Sequence, residues 1–371
     1  MKNIGVVGCG KLGICYSAIF ARAGYKVYCY DINNQIFDDI KNDNYNYSEP
    51  MLNSIIKNNK EKLIITRELH EVINNSDLIF TFIQTPSLDT GAYDHSYIDD
   101  FINNCISFGY QTNKKTIVIS STVMPGYCKS VLFKVKDYNY DICYNPSFIS
   151  QGSIIANIVN PDIILIGNDT AADNNDLIEL HNSVIENNSK IKVMSLLEAE
   201  ITKISINCYI TMKITYANLI GDLSKSLDCD PSVILDAIGS DTRVGNAYFK
   251  YGYGFGGPCL PRDNKALFYY FDNTNTNPNI NLDICNIIDK NNKNHLEYQF
   301  DELKNNNDPI EFKYITYKDS SDIIEQSQKL LLAIKLADYG KEVIIYERSE
   351  IINILKDKYP KLKFIVIDPT I

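Results

Sequence analysis

Residues 4–13 read Ile4-Gly5-Val6-Val7-Gly8-Cys9-Gly10-Lys11-Leu12-Gly13. Residues 3–7, mostly apolar, read as a strand that runs without a break into a glycine turn, and the turn opens into a helical stretch from about Ile14 to Ala23. Gly24 follows, then a second apolar strand from Lys26 to Tyr30 that ends on Asp31. Strand, glycine turn, helix, strand and acid stand in the order a βαβ unit requires. Outward from this unit, apolar runs at 63–65, 78–82, 116–120, 141–144 and 163–166 keep alternating with helical segments. The pattern predicts a doubly wound α/β domain, its parallel sheet covered on both faces.

The glycine spacing Gly8-x-Gly10-x-x-Gly13 has a physical reading in that setting. The first glycine makes the tight turn, the second lets backbone N–H groups approach a pyrophosphate, and the third lets helix and strand pack closely. Asp31, twenty-one residues after Gly10, would accept hydrogen bonds from the adenosine ribose hydroxyls. A carboxylate there repels a 2′-phosphate, so the expected cofactor is NAD rather than NADP.

The chain has 371 residues, 36 Lys plus Arg against 46 Asp plus Glu, and a formal charge of −10. That length suits two or three domains. The acidic balance argues against nucleic acid or an anionic membrane as the main partner, since such surfaces demand excess positive charge. Ten cysteines are scattered without a CxxC pair, and with only four His no metal site is expected. The N-terminus lacks the h-region of a signal peptide and no stretch approaches the ~18 apolar residues of a membrane span. These features predict a soluble protein of a reducing compartment, the cytoplasm, with most cysteines acting as small core residues.

From about Leu196 to Leu227 the texture becomes that of one long helix, apolar on more than one face, which suggests burial against other helices or a second subunit. A glycine-rich stretch at 252–257 interrupts a second helical region ending near Phe300. Residues 304–309 read as a linker, and 312–317, 342–346 and 363–367 as strands of a small α/β domain. The expected domains are thus 1–195, 196–300 and 301–371. Asn-rich runs such as 291–294 and 305–307 are read as surface composition without chemistry.

The segment Gly252-Tyr253-Gly254-Phe255-Gly256-Gly257-Pro258-Cys259-Leu260-Pro261-Arg262-Asp263 is the most informative. Four glycines beside one Cys form a loop whose backbone approaches a ligand and presents a thiol at its end. A buried small hydrophobe is the default for the other nine Cys; here the glycines and Asp263 favour a nucleophile. Lys203 and Asn207, four apart on the long helix, share a face and can donate to one developing oxyanion, although such a pair is more often a solvated helix edge.

These residues resemble the nucleotide-sugar 6-dehydrogenases of the UDP-glucose and GDP-mannose type, over residues 1 to about 300 closely and beyond that loosely. The most specific match is 254–263. In support stand Gly8 to Gly13, Gln84-Thr85-Pro86, Ser121 to Gly126, Asn160-Pro161-Asp162, Glu198 to Asn207 and Asp241 to Gly245, in the family's order. The resemblance implies a Rossmann-like N-terminal domain, a central long-helix dimerisation region and a reduced C-terminal α/β domain for the nucleotide sugar. It implies a four-electron oxidation of a sugar C6 alcohol to a carboxylate, with two NAD reduced and UDP-glucose the first substrate to test. Cys259 would form the thiohemiacetal and thioester. Lys203 and Asn207 would stabilise the oxyanions, while Asp263 and Thr122 would position or activate water.

By the same resemblance, Gly8, Gly10, Lys11, Leu12, Gly13, Asp31, Thr85, Pro86, Thr122 and Arg262 would bind NAD. Phe148, Ile149, Gln151, Lys203, Asn207, Arg243, Tyr248, Lys250, Phe255, Gly256, Tyr317 and Lys318 would bind the nucleotide sugar, Arg243 reaching in from a neighbouring subunit of a homodimer. Pro258 before the Cys leans toward a glucose-type substrate.

The chain departs from the family pattern in several places, among them the absence of the glycine that precedes the family's aromatic-Lys pair, here Tyr317-Lys318. Ser147 stands where a Glu is expected to serve the hydrolytic water, Glu325 stands where the family has an Arg, and the chain stops at Ile371, short of the family's last strand and helix units. An alternative follows, a homologue that binds its ligands but stalls at thioester hydrolysis. A two-electron hydroxyacid dehydrogenase shares the dinucleotide fold and a helical Lys-x-x-x-Asn pair but needs no nucleophilic Cys. A purely structural protein would need none of these groups together.

Overall fold

The sequence's short β-branched runs and longer amphipathic stretches become eleven strands and fourteen α-helices in the computed structural model, which describes residues 2–44, 49–150, 152–170, 174–274, 280, 282–318 and 321–367. Contacts divide the chain into two compact units, Met1–Lys203 and Ile204–Ile371.

The first unit runs β1 (Ile4–Val7), α1 (Lys11–Arg22), β2 (Val27–Tyr30), α2 (Gln35–Lys41), α3 (Leu52–Asn58), β3 (Leu63–Ile65), α4 (Leu69–Asn75) and β4 (Leu78–Thr81). It continues with α5 (Ser96–Ser107), β5 (Lys115–Ile119), α6 (Tyr127–Val135), β6 (Tyr140–Tyr144), α7 (Ile154–Val159), β7 (Ile163–Gly167), α8 (Asn175–Val184) and β8 (Lys190–Met194). The sheet order is β3-β2-β1-β4-β5-β6-β7-β8. Every pair is parallel except β6 with β7, which meet antiparallel at Tyr144 and Gly167.

The central strands β1, β4 and β6 are buried along their whole length, as strands covered on both faces must be. On one face Val6, Phe80 and Val118 pack with Ile14, Ala18 and Phe20 of α1. On the other, Val7, Ile79 and Ile117 pack with Ile98 and Ile102 of α5 and Val131 of α6. Two features depart from the sequence expectation of a wholly parallel sheet. The link from β6 to β7 carries only the six-residue α7, too little for a full crossover, so β7 enters from the end at which β6 leaves. Strand β8 escaped notice because it is a half-exposed edge with lysines at 190 and 192, the polar texture by which sheet edges avoid further pairing.

Helix α9 (Leu196–Ser226) is 31 residues long and continues into the second unit. There follow α10 (Pro231–Gly239), α11 (Leu260–Asn273), α12 (Asp283–Leu303), β9 (Ile310–Lys313), α13 (Gln328–Asp338), β10 (Val343–Glu347), α14 (Ser349–Leu355) and β11 (Lys363–Val366). The strands form a three-stranded parallel sheet in the order β11-β10-β9, with Phe312, Ile345, Leu332 and Leu336 in its core. Ser327 accepts the Leu330 N–H at 3.3 Å and caps α13. Among the described residues no helix is long and apolar enough to cross a membrane.

Candidate active site

In the first unit the strand order reverses between β1 and β4. Such a reversal opens a crevice beyond the C-terminal strand ends, where open α/β sheets receive nucleotides. Gly8 follows β1 with φ +91°, and a Cβ there would meet the Phe82 carbonyl oxygen at 2.7 Å. A Cβ on Gly13 would sit 1.9 Å from the Gly8 carbonyl oxygen, so only glycine lets α1 press on the turn. Gly10 differs, since its Cβ would meet nothing within 4 Å. It is the N-cap of α1, with no side-chain cap and no acid in the first turn. The helix's positive end is therefore presented to an incoming pyrophosphate. Lys11 is exposed and Leu12 half-buried beside it. Asp31 follows β2, its Oδ1 accepting the Asn33 N–H at 2.8 Å. The turn, the open N-terminus and the acid together fit an adenine dinucleotide.

Those glycine differences set an expected result. Gly13→Ala should cost about 3 kcal/mol or more of stability, because backbone cannot yield to the added methyl. Gly10→Ala should cost under about 1 kcal/mol and weaken NAD binding at least tenfold. Thermal unfolding together with an NAD titration separates the two; equal stability losses, or undiminished NAD binding by Gly10→Ala, would contradict the assignment.

The loops after β4 and β5 are tied together. Buried Thr85 donates its hydroxyl to the Thr122 carbonyl at 2.8 Å, and Ser121 donates to the Ile83 carbonyl. Pro86 is exposed beside them. Fully buried Glu200 of α9 accepts the Gly126 and Cys128 N–H groups at 2.5 and 2.7 Å, holding the N-terminus of α6 just after the Thr122 loop. Burial pushes its carboxyl up, against the pull of those N–H groups.

Lys203 is 7 % exposed. Its ammonium donates to the Ser147 carbonyl at 2.7 Å and stands 4.3 Å from the centre of the Phe148 ring, a cation–π contact. Asn145 braces this loop: its Nδ2 donates to the Leu165 carbonyl at 2.8 Å, and its Oδ1 lies 3.0 Å from His181 Nε2. Burial lowers His181 to about 4, so the ring is neutral at pH 7 and, in the tautomer this contact selects, donates from Nε2. Ile149 is half-buried in the same loop, and Gln151 lies outside the described residues.

In the second unit Cys259 is exposed as the N-cap residue of α11, where a helix N-terminus favours negative charge. Of the other nine cysteines eight are buried, and burial pushes Cys15, for one, up to about 12. Cys229 departs from the expectation of burial because it sits in the exposed turn after α9.

The glycine loop ahead of Cys259 is tightly enclosed. A Cβ on Gly256 would lie 2.1 Å from the Gln326 carbonyl oxygen, and one on Gly257, whose φ is +79°, would lie 2.6 Å from the Tyr317 ring. Gly257 N–H donates to the Glu325 carbonyl at 3.1 Å. The structure therefore brings Tyr317 onto the thiol loop. Its hydroxyl is raised by burial and then by the charges of Cys259 and Tyr248. One turn into α11, buried Asp263 accepts Asn207 Nδ2 at 2.6 Å, so the Asn207 amide is turned toward a carboxylate. Arg262 Nε lies 3.7 Å from the same carboxylate.

Phe255 is buried, while Lys250 and Lys318 are exposed. Tyr248 is exposed with φ +59°. Arg243 projects into solvent, its guanidinium held by Asp241 at 2.6 Å. Sequence reasoning missed Glu200, Asn292 and His295. Asn292 binds both backbone groups of Phe255, at 2.9 and 3.0 Å, from inside an Asn-rich run read as chemically silent.

Comparison with known proteins places these features in context. Residues 2–185 match the model of the UDP-glucose/GDP-mannose dehydrogenase family, NAD binding domain, and residues 197–293 match that family's central domain. The chain is 31 % identical over 275 residues to the UDP-glucose 6-dehydrogenase TuaD of Bacillus subtilis, a match covering 72 % of this chain and 58 % of that protein. It is 29 % identical over 301 residues to the UDP-glucose 6-dehydrogenase of Rickettsia prowazekii, covering 78 % and 67 %. A solved UDP-glucose dehydrogenase from Pyrobaculum islandicum superposes with a TM-score of 0.87 at 23 % identity, over 100 % of this chain and 87 % of that one. A UDP-D-ManNAc dehydrogenase from Pyrococcus horikoshii does so with 0.78 at 21 %, over 93 % and 83 %. At those identities the structural likeness speaks for the fold.

Proposed function

Since the chain belongs to the UDP-glucose/GDP-mannose dehydrogenase family and its N-terminal unit carries that family's NAD-binding domain, we propose that it oxidises a nucleotide sugar, UDP-glucose first, to the uronate. NAD supplies the hydride acceptor. The observation that carries the proposal is Cys259, an exposed thiol at a helix N-terminus, at the end of a loop whose glycines are fixed by their surroundings.

The chain's own residues divide the work. Lys203, held in place by the Ser147 carbonyl and the Phe148 ring, favours alkoxide over alcohol at C6 as the first hydride leaves. Cys259 then adds to the aldehyde carbon, its sulfur forming a C–S bond and the carbonyl oxygen taking a proton, to give a thiohemiacetal. Loss of the second hydride and of the hydroxyl proton leaves a thioester. Water attacks the thioester carbon, the C–S bond breaks, the sugar carboxylate forms with release of a proton, and the thiol is regenerated. Asp263, which accepts the Asn207 amide, and Thr122 are assigned to the handling of that water. Tyr317, Lys318 and Phe255 are assigned to the nucleotide sugar, with residues 301–371 as its binding domain. Exposed apolar side chains along α9, among them Tyr209, Tyr216, Leu219 and Leu223, support a homodimer in which Arg243 serves the partner's site.

The stoichiometry tests it. Purified protein given limiting UDP-glucose and excess NAD should form two NADH per sugar; one NADH per sugar, or none with any nucleotide sugar, would refute the four-electron reaction. A second reading has a specific residue in its favour. Ser147, whose hydroxyl lies beside Tyr16, has no charged group with which to deprotonate water, so the enzyme would accumulate its thioester.

A further inference from the structure

The glycine loop that ends on Cys259 has more conformational freedom than any other stretch of comparable length, yet its backbone is held group by group from two helices of the second unit. From α9, Asn218 accepts the Gly252 N–H at 3.0 Å and donates to the Tyr253 carbonyl at 3.3 Å. From α12, Asn292 holds both backbone groups of Phe255. The Gly252 carbonyl receives His295 Nε2 at 2.7 Å and Gln299 Nε2 at 3.1 Å. Asn292, His295 and Gln299 are spaced i, i+3 and i+7, so one face of α12 grips the loop.

His295 is the unusual member. It is 4 % exposed. Its Nδ1 lies 2.8 and 3.0 Å from the two carboxylate oxygens of Asp222, and Asp222 also accepts the Tyr251 hydroxyl at 2.9 Å. Both ring nitrogens therefore face acceptors. A buried ion pair is a weak contribution to stability, because desolvation cancels most of its attraction. It is a stringent device for fixing geometry, since each contact is directional and neither partner has another place to go.

We propose that His295 is a positioning residue for the thiol: anchored by Asp222, it pins the Gly252 carbonyl and thereby fixes the glycine loop so that Cys259 stays at the N-terminus of α11. This rests on the nucleophilic role of Cys259 proposed above. Loss of the pin leaves Gln299 as the remaining side-chain donor to the Gly252 carbonyl and loosens the start of the loop, and displacement of a reacting group by about 1 Å costs on the order of 10²-fold in rate.

The test uses the full chain with His295→Ala and His295→Gln. Iodoacetamide labelling is followed by peptide mass at Cys259, with exposed Cys229 as the internal standard. In His295→Ala the Cys259 rate should fall at least threefold relative to Cys229, because the thiol is no longer held at the positive end of α11. Turnover of UDP-glucose should lose about 10- to 100-fold in kcat while KM for NAD and for the sugar stay within about twofold. His295→Gln, which offers one donor, should fall between. Should His295→Ala fail to fold, Gln299→Leu removes the second donor to Gly252 and the same readouts decide. Labelling ratio and kcat within twofold of the parent in a folded variant would overturn the proposal. If the parent turns over no nucleotide sugar, the proposed function fails, and the labelling ratio alone decides whether His295 fixes the loop.

Discussion

Cys259→Ala is expected to leave the protein folded and to abolish the second oxidation. Cys259 is exposed and is the N-cap residue of α11 without making a side-chain cap, so its truncation removes little packing and should change stability by no more than about 0.5 kcal/mol. The chemical effect is of another order. A free aldehyde carbon carries no oxygen lone pair developed enough to expel hydride, whereas the thiohemiacetal supplies one. Without the thiol, only adventitious hydration of the aldehyde offers a substitute. A fall of at least ~10³-fold in the second NADH follows, equivalent to about 4 kcal/mol of transition-state stabilisation. Rapid-quench counting of NADH and intact mass measure it, the parent showing a sugar adduct on Cys259 and the variant none. Two NADH per sugar at an undiminished rate in Cys259→Ala would rule out the thiol route and leave a hydrated aldehyde as the oxidised species.

The dinucleotide half of this molecule is legible in the sequence because it is governed by short-range rules. Glycine at a positive φ, glycine where a methyl would strike a carbonyl oxygen, and an acid after β2 follow from a few residues each, and these are the local geometries of Gly8, Gly13 and Asp31. Edge strand β8 was illegible for the converse reason, its polar texture being that of any surface segment.

Helix α9 shows what local pattern does not reveal. Lys203 and Asn207 were visible as an i, i+4 pair, but the same line continues through Glu200, Thr211, Asn218 and Asp222 at helical spacings. Each of these holds a different loop or helix: the start of α6, Asn264 of α11 at 2.9 Å, the Gly252 backbone and His295. A polar stripe on a long helix with exposed apolar residues elsewhere on its surface is inverted relative to an ordinary surface helix, and that inversion was the available signal. The partners lie 34 to 74 residues away in sequence, so no spacing rule names them. The same holds for His295 and Asn292, which an Asn-rich context disguised as surface.

Ser147→Glu carries the other large expected effect, and in the opposite direction. Ser147 follows Asn145 and Pro146 after β6, and what it gives to Lys203 is its carbonyl oxygen, at 2.7 Å. A change of side chain therefore leaves the Lys203 contact intact, while a carboxylate is introduced where the family places one. At pH 7 a serine hydroxyl keeps its proton and takes none from water; a glutamate, ordinarily ionised above about pH 4.3, does. General-base assistance of this kind is worth ~10²–10⁴-fold. The parent should thus show a burst of NADH equal to twice the enzyme present, then a slow steady state with a persistent thioester on Cys259. Ser147→Glu should remove the burst, clear the adduct and raise the steady state by at least ~10²-fold. Its benefit should fade as the pH drops through the carboxyl's titration, a dependence the parent lacks, because only the ionised form accepts the proton. If the parent shows no burst and no adduct, hydrolysis is already competent and Asp263, with Asn207 orienting it at 2.6 Å, is the group that serves the water in this chain. If the adduct persists in Ser147→Glu, position 147 is not where the base belongs, and the search moves to the second unit, where Asp263 lies within one turn of the thiol.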